Sequence, residues 1–164
     1  ANSLGADAQF LVSKIADTPA QVVDIAIALH ACDTATDDSI AWAVKNSAKV
    51  IMLAPCCHHD LQAQIDLVPE PWSLLTRHGV VSERLIDLMT DSLRAQILKL
   101  LGYRVDIVEF VGGEHTPRNI MIRAVKTGVK VDPAEVHRYQ AMLADWKIAP
   151  HLAELLKSEL SARI

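Results

Sequence analysis

The sequence has few aromatic residues, few cysteines and no long uninterrupted apolar run. Aromatic side chains make up only 4% of the 164 residues although 51% are hydrophobic, so the core must be largely aliphatic. Three cysteines, two of them adjacent, do not provide a disulfide framework, which favours a reducing cytoplasmic compartment over secretion. The longest apolar run, residues 22–31, contains Asp24 and is too short to cross a bilayer, so we expect no membrane association.

Glycine-rich loops and a basic surface are also lacking. The six glycines include neither G-x-G-x-x-G nor the Walker A pattern, which disfavours the usual nicotinamide and nucleoside-triphosphate enzymes. The 16 Lys and Arg residues against 20 Asp and Glu residues give a formal net charge of −4. This charge disfavours a nonspecific nucleic-acid binder, but it permits an enzyme that acts on a defined RNA site through a local basic patch.

What is present is an alternation of short apolar strands and amphipathic helices, which indicates an α/β protein with a mostly parallel sheet. We predict strands over residues 10–15, 22–30 and 49–55, followed by an antiparallel hairpin over 103–111 and 119–126. The run 22–30 is almost wholly aliphatic, which is typical of a strand covered on both faces. We divide the chain into an α/β domain, residues 1–130, and a helical tail, residues 131–164, that packs on it.

The helices are predicted from capping residues and apolar spacing. A helix over residues 36–47 has Thr36 as its N-cap, and a short one covers 60–67. A long helix begins at Ser82 and ends at Gly102, with an apolar face formed by Leu85, Met89, Leu93, Ile97 and Leu101. In the tail, Asp132 caps one helix and Pro150 begins a last one.

Three polar clusters directly follow predicted strands, at residues 16–18, 30–33 and 55–59. Because ligands in such folds bind at the carboxyl ends of the strands, we expect the clusters to share one rim of the sheet. Each cluster alone also fits a plain polar loop. Asp17 can cap a turn, and Asp33 can help to start the following helix.

The tetrad Cys-Cys-His-His at residues 56–59 raises the question of a metal. Structural zinc sites usually separate paired ligands by two or more residues, whereas adjacent residues that leave a strand point apart, so we expect no metal site. A split site that joins His30 or Cys32 to His58 stays open. Cys32 or Cys56 beside a histidine can also form a thiolate–imidazolium pair, or each can be a small buried hydrophobic residue.

Two of these stretches, read together, resemble a known family. Residues 24–37 read DIAIALHACDTATD and residues 53–61 read LAPCCHHDL, in that order and one helix apart. They resemble class I S-adenosylmethionine-dependent methyltransferases, in particular the domains that 2′-O-methylate the tRNA acceptor stem. The resemblance covers roughly residues 8–127 and identifies the three predicted strands with strands three, four and five of that sheet. The hairpin looks like the antiparallel pair that ends it.

The resemblance implies a methyltransferase as the parent protein, with S-adenosylmethionine as cofactor and RNA as a possible acceptor by analogy. The residues implied for cofactor binding are Ala16, Asp17, Leu29 and His30, with Asp17 accepting from the adenine amine. Those that orient the acceptor or take its proton are His30, Asp33, Cys56 and His58. The residues implied for substrate binding are His59 and, in the hairpin loop, His115, Arg118 and Asn119. A non-catalytic binding or assembly module, or a thiol or metal enzyme, is the alternative.

One part of the family pattern has no counterpart. The Gly-rich loop after strand one and the acidic residue after strand two would precede residue 1, so we expect a C-terminal half that binds little cofactor alone. Strand one normally lies beside strand four, and without it the strand at 22–30 has an open edge that invites association. We expect residues 10–15, a second copy in a homo-oligomer, or the missing N-terminal half to cover that edge.

Overall fold

The computed structural model describes residues 8–110 and 119–164. In these ranges the chain folds into four strands, β1–β4, and six α-helices, α1–α6. In chain order they are β1 Ile25–Leu29, α1 Thr34–Lys45, β2 Val50–Ala54, α2 His59–Gln64, α3 Gly79–Leu100, β3 Tyr103–Glu109, β4 Ile120–Lys126, α4 Pro133–Trp146, α5 His151–Leu155 and α6 Lys157–Ser161. Short 3-10 helices cover Ile15–Asp17 and Trp72–Leu74.

The four strands form one mixed sheet in the order β1-β2-β4-β3. Only β1 and β2 are parallel, with Ile25 opposite Val50 and Leu29 opposite Ala54. Strand β4 is antiparallel to both β2 and β3. The α/β class and the terminal antiparallel hairpin are confirmed, but the expectation of a mostly parallel sheet is wrong, because the hairpin places its second strand directly against β2.

The first predicted strand is also wrong. Residues 10–14 form no regular element, and Phe10, Leu11 and Val12 are exposed. The chain then makes the 3-10 helix Ile15–Asp17, which packs near α1. A strand needs a neighbour to satisfy its backbone groups, and residues 10–15 do not add to the open edge of β1.

Helices cover one face of the sheet. The side chains of Ile51, Leu53, Ile122 and Ala124 are buried in one apolar cluster with residues of α1 and α3, and Ala26 and Ala28 of β1 pack against it. On the opposite face Ile25, Ile27 and Leu29 are 57%, 63% and 57% exposed. The prediction that this strand is covered on both faces is therefore wrong for the described residues.

The predicted apolar face of helix α3 is confirmed. It begins at Gly79, three residues earlier than expected, and Met89, Leu93, Ile97 and Leu101 are buried, with Leu85 half-buried. The chain leaves the helix at Gly102, whose φ of +88° favours glycine. None of the helices in the described residues is long and apolar enough to span a membrane.

The tail contributes to the same core. The Asp132 carboxylate accepts a 2.9 Å hydrogen bond from the Ala134 amide and caps α4 as predicted. The single last helix that was expected is two short ones, α5 and α6. Buried side chains of the tail, Tyr139, Trp146, Ile148, Leu152, Leu156 and Leu160, belong to the cluster that underlies the sheet.

Candidate functional site at the carboxyl ends of β1 and β2

The loops that follow β1 and β2 lie against each other. Because the two strands are parallel neighbours, residues 30–33 and 55–59 leave the same edge of the sheet. The thiol sulfurs of Cys32 and Cys56 are 3.4 Å apart. The Asp33 carboxylate accepts hydrogen bonds from the backbone amides of His59, at 2.9 Å, and Asp60, at 3.0 Å. The prediction that three polar clusters follow strands and share one rim is confirmed for these two, but residues 16–18 follow no strand and overlap the 3-10 helix Ile15–Asp17. We call the loops after β1 and β2 the rim loops.

Asp33 joins the rim loops. It occupies the N-cap position of α1, yet its side chain makes no hydrogen bond to that helix and caps α2 instead. The expected N-cap Thr36 lies inside α1, where its hydroxyl donates to the Ala31 carbonyl. His30 and Asp33 both have positive φ, 58° and 52°. Such strained backbone in a non-glycine residue costs free energy and is concentrated at functional sites.

His58 points away from solvent into α3. Its side chain is only 4% exposed, and its Nε2 lies 3.0 Å from Asp91 Oδ1. Its Nδ1 lies 3.3 Å from Asp87 Oδ1, close enough for an ion pair but without hydrogen-bond geometry. Asp87 and Asp91 are one helical turn apart, so two carboxylates flank one ring. His58 also lines a cleft of about 120 Å³ with Pro55 and Leu88.

Arg94 extends this network to α1. Its Nε and Nη2 donate to the two carboxylate oxygens of Asp37 at 2.7 and 3.2 Å, and its Nη1 donates to Asp91 at 3.2 Å. Nη2 also donates to the Asp33 carbonyl at 2.9 Å. Burial raises the pKa of the Asp37 carboxyl, against the opposing effect of Arg94. Burial also acts to lower the pKa of Arg94, but its ion pairs with Asp37 and Asp91 outweigh this and raise it.

Sequence reasoning missed this network. The sequence predicts only an apolar face for α3 and no partner for Asp37. The pattern that could have found it is in α3: Asp87, Asp91 and Arg94 follow one another at steps of four and three, which places them on one stripe. The stripe runs beside the buried face of the helix, where charged side chains need partners.

The three cysteines come together at the rim. The Cys57 sulfur is 3.8 Å from that of Cys56, and the sulfurs of Cys32, Cys56 and Cys57 all lie within 4.8 Å of one another. Burial, with hydrogen bonds to Cys32 and Cys57, raises the pKa of the Cys56 thiol to about 12. In the absence of a metal, Cys56 is therefore a protonated thiol at neutral pH, which argues against a Cys56 thiolate as nucleophile.

A groove of about 560 Å³ runs along β1 to its carboxyl end. Leu29 and His30 line it from the strand, and Ile15 and Thr18 line it from the segment before the strand. The Trp42 indole, which also lines the groove, donates a 3.1 Å hydrogen bond to the Thr18 carbonyl and ties that segment to α1. The structure thus brings two of the four expected cofactor residues to one cavity. Ala16 and Asp17 are exposed on the 3-10 helix beside it and do not line it.

The expected substrate residues are spread out. His59 is exposed at the start of α2. Asn119 is buried, so its side chain does not face solvent, and its backbone carbonyl accepts a 3.1 Å hydrogen bond from the Phe110 amide. His115 and Arg118 lie outside the described residues. The substrate roles of all four stay predictions.

A family model described as a methyltransferase domain matches residues 2–64. The matched range contains β1, α1, β2 and both rim loops, and it is less than half of the chain. No curated protein matches the sequence, and no solved structure matches the fold.

Proposed function

We propose that the chain forms the acceptor side of an S-adenosylmethionine-dependent methyltransferase. The match of a methyltransferase domain to residues 2–64 carries this proposal, because it spans the two strand ends that meet at the rim. The antiparallel hairpin at the far side of the sheet supports it as well, since the resemblance to class I enzymes implies such a pair. The cofactor, the acceptor and the need for further polypeptide are our own inferences.

The groove along β1 suits the cofactor in size and chemistry. Its volume of about 560 Å³ falls within the usual range for small-molecule sites, and its lining is mostly apolar with a few polar residues, among them His30 and Thr18. Leu29 and His30 would hold the methionine part, and Asp17, on the adjacent 3-10 helix, would accept from the adenine amine. S-adenosylmethionine supplies a methyl group on a positively charged sulfur.

The chain's own contribution is positioning of the acceptor. His30 is exposed at the strand end and would orient the acceptor or take its proton. Asp33 and His58 act as positioning residues, because one joins the rim loops and the other fixes the β2 loop to α3. Holding the methyl donor and acceptor in line accounts for much of the rate in such a reaction.

The open side of β1 supports a further layer of polypeptide. The outer edge of β1 has no neighbouring strand in the described residues, and three of its side chains are exposed on the uncovered face. We propose that the N-terminal half of the domain, with its Gly-rich cofactor loop, pairs with the outer edge of β1 in the parent protein and encloses the cofactor at the carboxyl end of the groove, beside Leu29 and His30. In the isolated chain a second copy takes its place.

Cofactor binding tests the proposal. By isothermal titration calorimetry, the 164-residue chain should bind S-adenosylmethionine only weakly, with a Kd above about 1 mM. The chain joined to a Gly-rich N-terminal half should bind in the micromolar range. In that longer protein Leu29→Arg, which blocks the groove, should weaken binding at least about tenfold, a loss of about 1.4 kcal/mol.

Val129→Arg is the control, because Val129 is also an exposed aliphatic residue but lies away from the groove. It should leave the Kd unchanged. Micromolar binding by the 164-residue chain would disprove the need for a second half. No binding by the longer protein would disprove the cofactor assignment itself.

The acceptor we propose is RNA, following the resemblance. Incubation of the longer protein with methyl-tritiated S-adenosylmethionine and total RNA should place the label in RNA and not in added protein. A 2′-O-methyl group removes the hydroxyl that alkali uses to cleave the chain, so the label should survive alkaline hydrolysis in dinucleotides. Label in mononucleotides would indicate a base acceptor, and label in protein alone would refute the RNA assignment.

A further inference from the structure

The three cysteines form a cluster that the proposed methyl transfer does not use. Cys32 comes from the β1 loop, and Cys56 and Cys57 come from the β2 loop. They are the only cysteines in the chain, and all three lie at the rim. The two loops are already fixed to each other by the Asp33 carboxylate, which bonds the amides of His59 and Asp60. The thiols are thus held together by the backbone around them rather than by a chance side-chain contact.

The spacing of the sulfurs fits a tetrahedral metal. A zinc–sulfur bond is about 2.3 Å, so two thiolates on one tetrahedral zinc lie about 3.8 Å apart. The Cys32–Cys56 and Cys56–Cys57 distances are 3.4 and 3.8 Å. The third pair lies within 4.8 Å, so it needs to close by no more than about 1 Å. A disulfide, by contrast, requires the sulfurs to approach to about 2.05 Å.

The sequence argument against a metal does not hold for these residues. It assumed that adjacent side chains point apart, as they do along a strand. Strand β2 ends at Ala54, and Pro55 follows it, so Cys56 and Cys57 lie outside the strand, and both of their sulfurs lie within 4.8 Å of the Cys32 sulfur. The third sulfur comes from a different loop, 24 residues earlier, and spacing within residues 56–59 could not reveal it.

We propose that Cys32, Cys56 and Cys57 bind one Zn²⁺ ion that clamps the two rim loops together. Three thiolates suit zinc, which prefers sulfur and nitrogen ligands in tetrahedral geometry. Three protein ligands leave one position for water or another donor. His58 does not supply it, because its ring is held by Asp87 and Asp91. The assignment rests on the cluster alone and is independent of methyl transfer.

Metal analysis of the purified 164-residue chain tests the site. Protein prepared without chelators should contain about one zinc ion per chain, and Cys32→Ser and Cys56→Ser should each lower this at least about tenfold. His137→Ala is the control, since His137 is an exposed histidine on α4 far along the chain from the cluster, and it should keep its zinc. Zinc that persists in both cysteine variants would refute the site.

A second measurement does not depend on whether the variants fold. Co²⁺ added to the metal-free wild-type protein should give intense near-ultraviolet sulfur-to-cobalt absorption and visible bands of a tetrahedral ion, and stoichiometric Zn²⁺ should abolish both. Thiol titration of the metal-free protein should find three free thiols. A single titrating thiol, which means that two of the three cysteines have formed a disulfide, or the absence of any cobalt spectrum would overturn the proposal.

Discussion

Arg94→Ala is expected to lower the free energy of unfolding by about 3–5 kcal/mol, because it breaks a buried ion pair. Arg94 and Asp37 are 2% and 4% exposed, and the arginine donates to both oxygens of that carboxylate. Alanine leaves the Asp37 carboxylate buried without its counter-ion. It also removes one donor from Asp91 and one from the Asp33 carbonyl, so the rim loops lose part of their support.

Urea unfolding followed by circular dichroism measures this loss. Arg138→Ala is the matched control, because Arg138 pairs with Glu135 at 2.7 Å on the surface, where such a pair contributes less than about 1 kcal/mol. If Arg94→Ala does not fold, Arg94→Lys should still fold with an intermediate loss, since an ammonium does not make the two parallel bonds of a guanidinium. Equal losses for Arg94→Ala and Arg138→Ala would show that the buried network does not stabilise the fold.

The same residues show how far the sequence predicts the fold. Strand β2, the hairpin of β3 and β4, and the apolar face of α3 follow from local patterns of apolar residues, and all were placed within a few residues. The layer that covers each strand does not follow from such patterns. The aliphatic run at β1 has the composition of a strand buried on both faces, yet within residues 8–110 and 119–164 helices cover only one face. The composition of a strand indicates that its apolar faces need to be covered, but it does not indicate which part of the polypeptide covers them.

The candidate site, like the fold, could be predicted from the sequence only in part. Because parallel strands end at one edge, the meeting of residues 30–33 with residues 55–59 was predictable. The partners of those residues were not, because they come from distant positions. Arg94 reaches Asp37 across 57 residues, and Cys32 reaches Cys56 across 24. Single-sequence patterns describe one element at a time, whereas these contacts depend on how elements pack.

The exposed side of β1 leads to the second large effect, on self-association. Ile25, Ile27 and Leu29 form an apolar row on a strand whose outer edge is unpaired in the described residues. Such an edge pairs readily with another chain. The isolated 164-residue chain should therefore associate with itself, and Ile27→Lys should weaken that association at least about 100-fold, because it would bury an ammonium group in the interface.

Ile27 is the informative position because it lies in the middle of β1, opposite Met52. Sedimentation velocity over a range of concentrations should show wild-type chain shifting from monomer to oligomer and Ile27→Lys remaining monomeric. Val129→Lys is the control: Val129 is 66% exposed against 63% for Ile27, lies between β4 and α4, and should associate like wild type. Wild-type protein that stays monomeric, or a Val129→Lys variant that dissociates equally, would show that β1 is not the surface that associates. Ile27 lies in β1 and not in the rim loops that hold the three cysteines. If the monomeric Ile27→Lys variant keeps its zinc, it has lost self-association but not its fold.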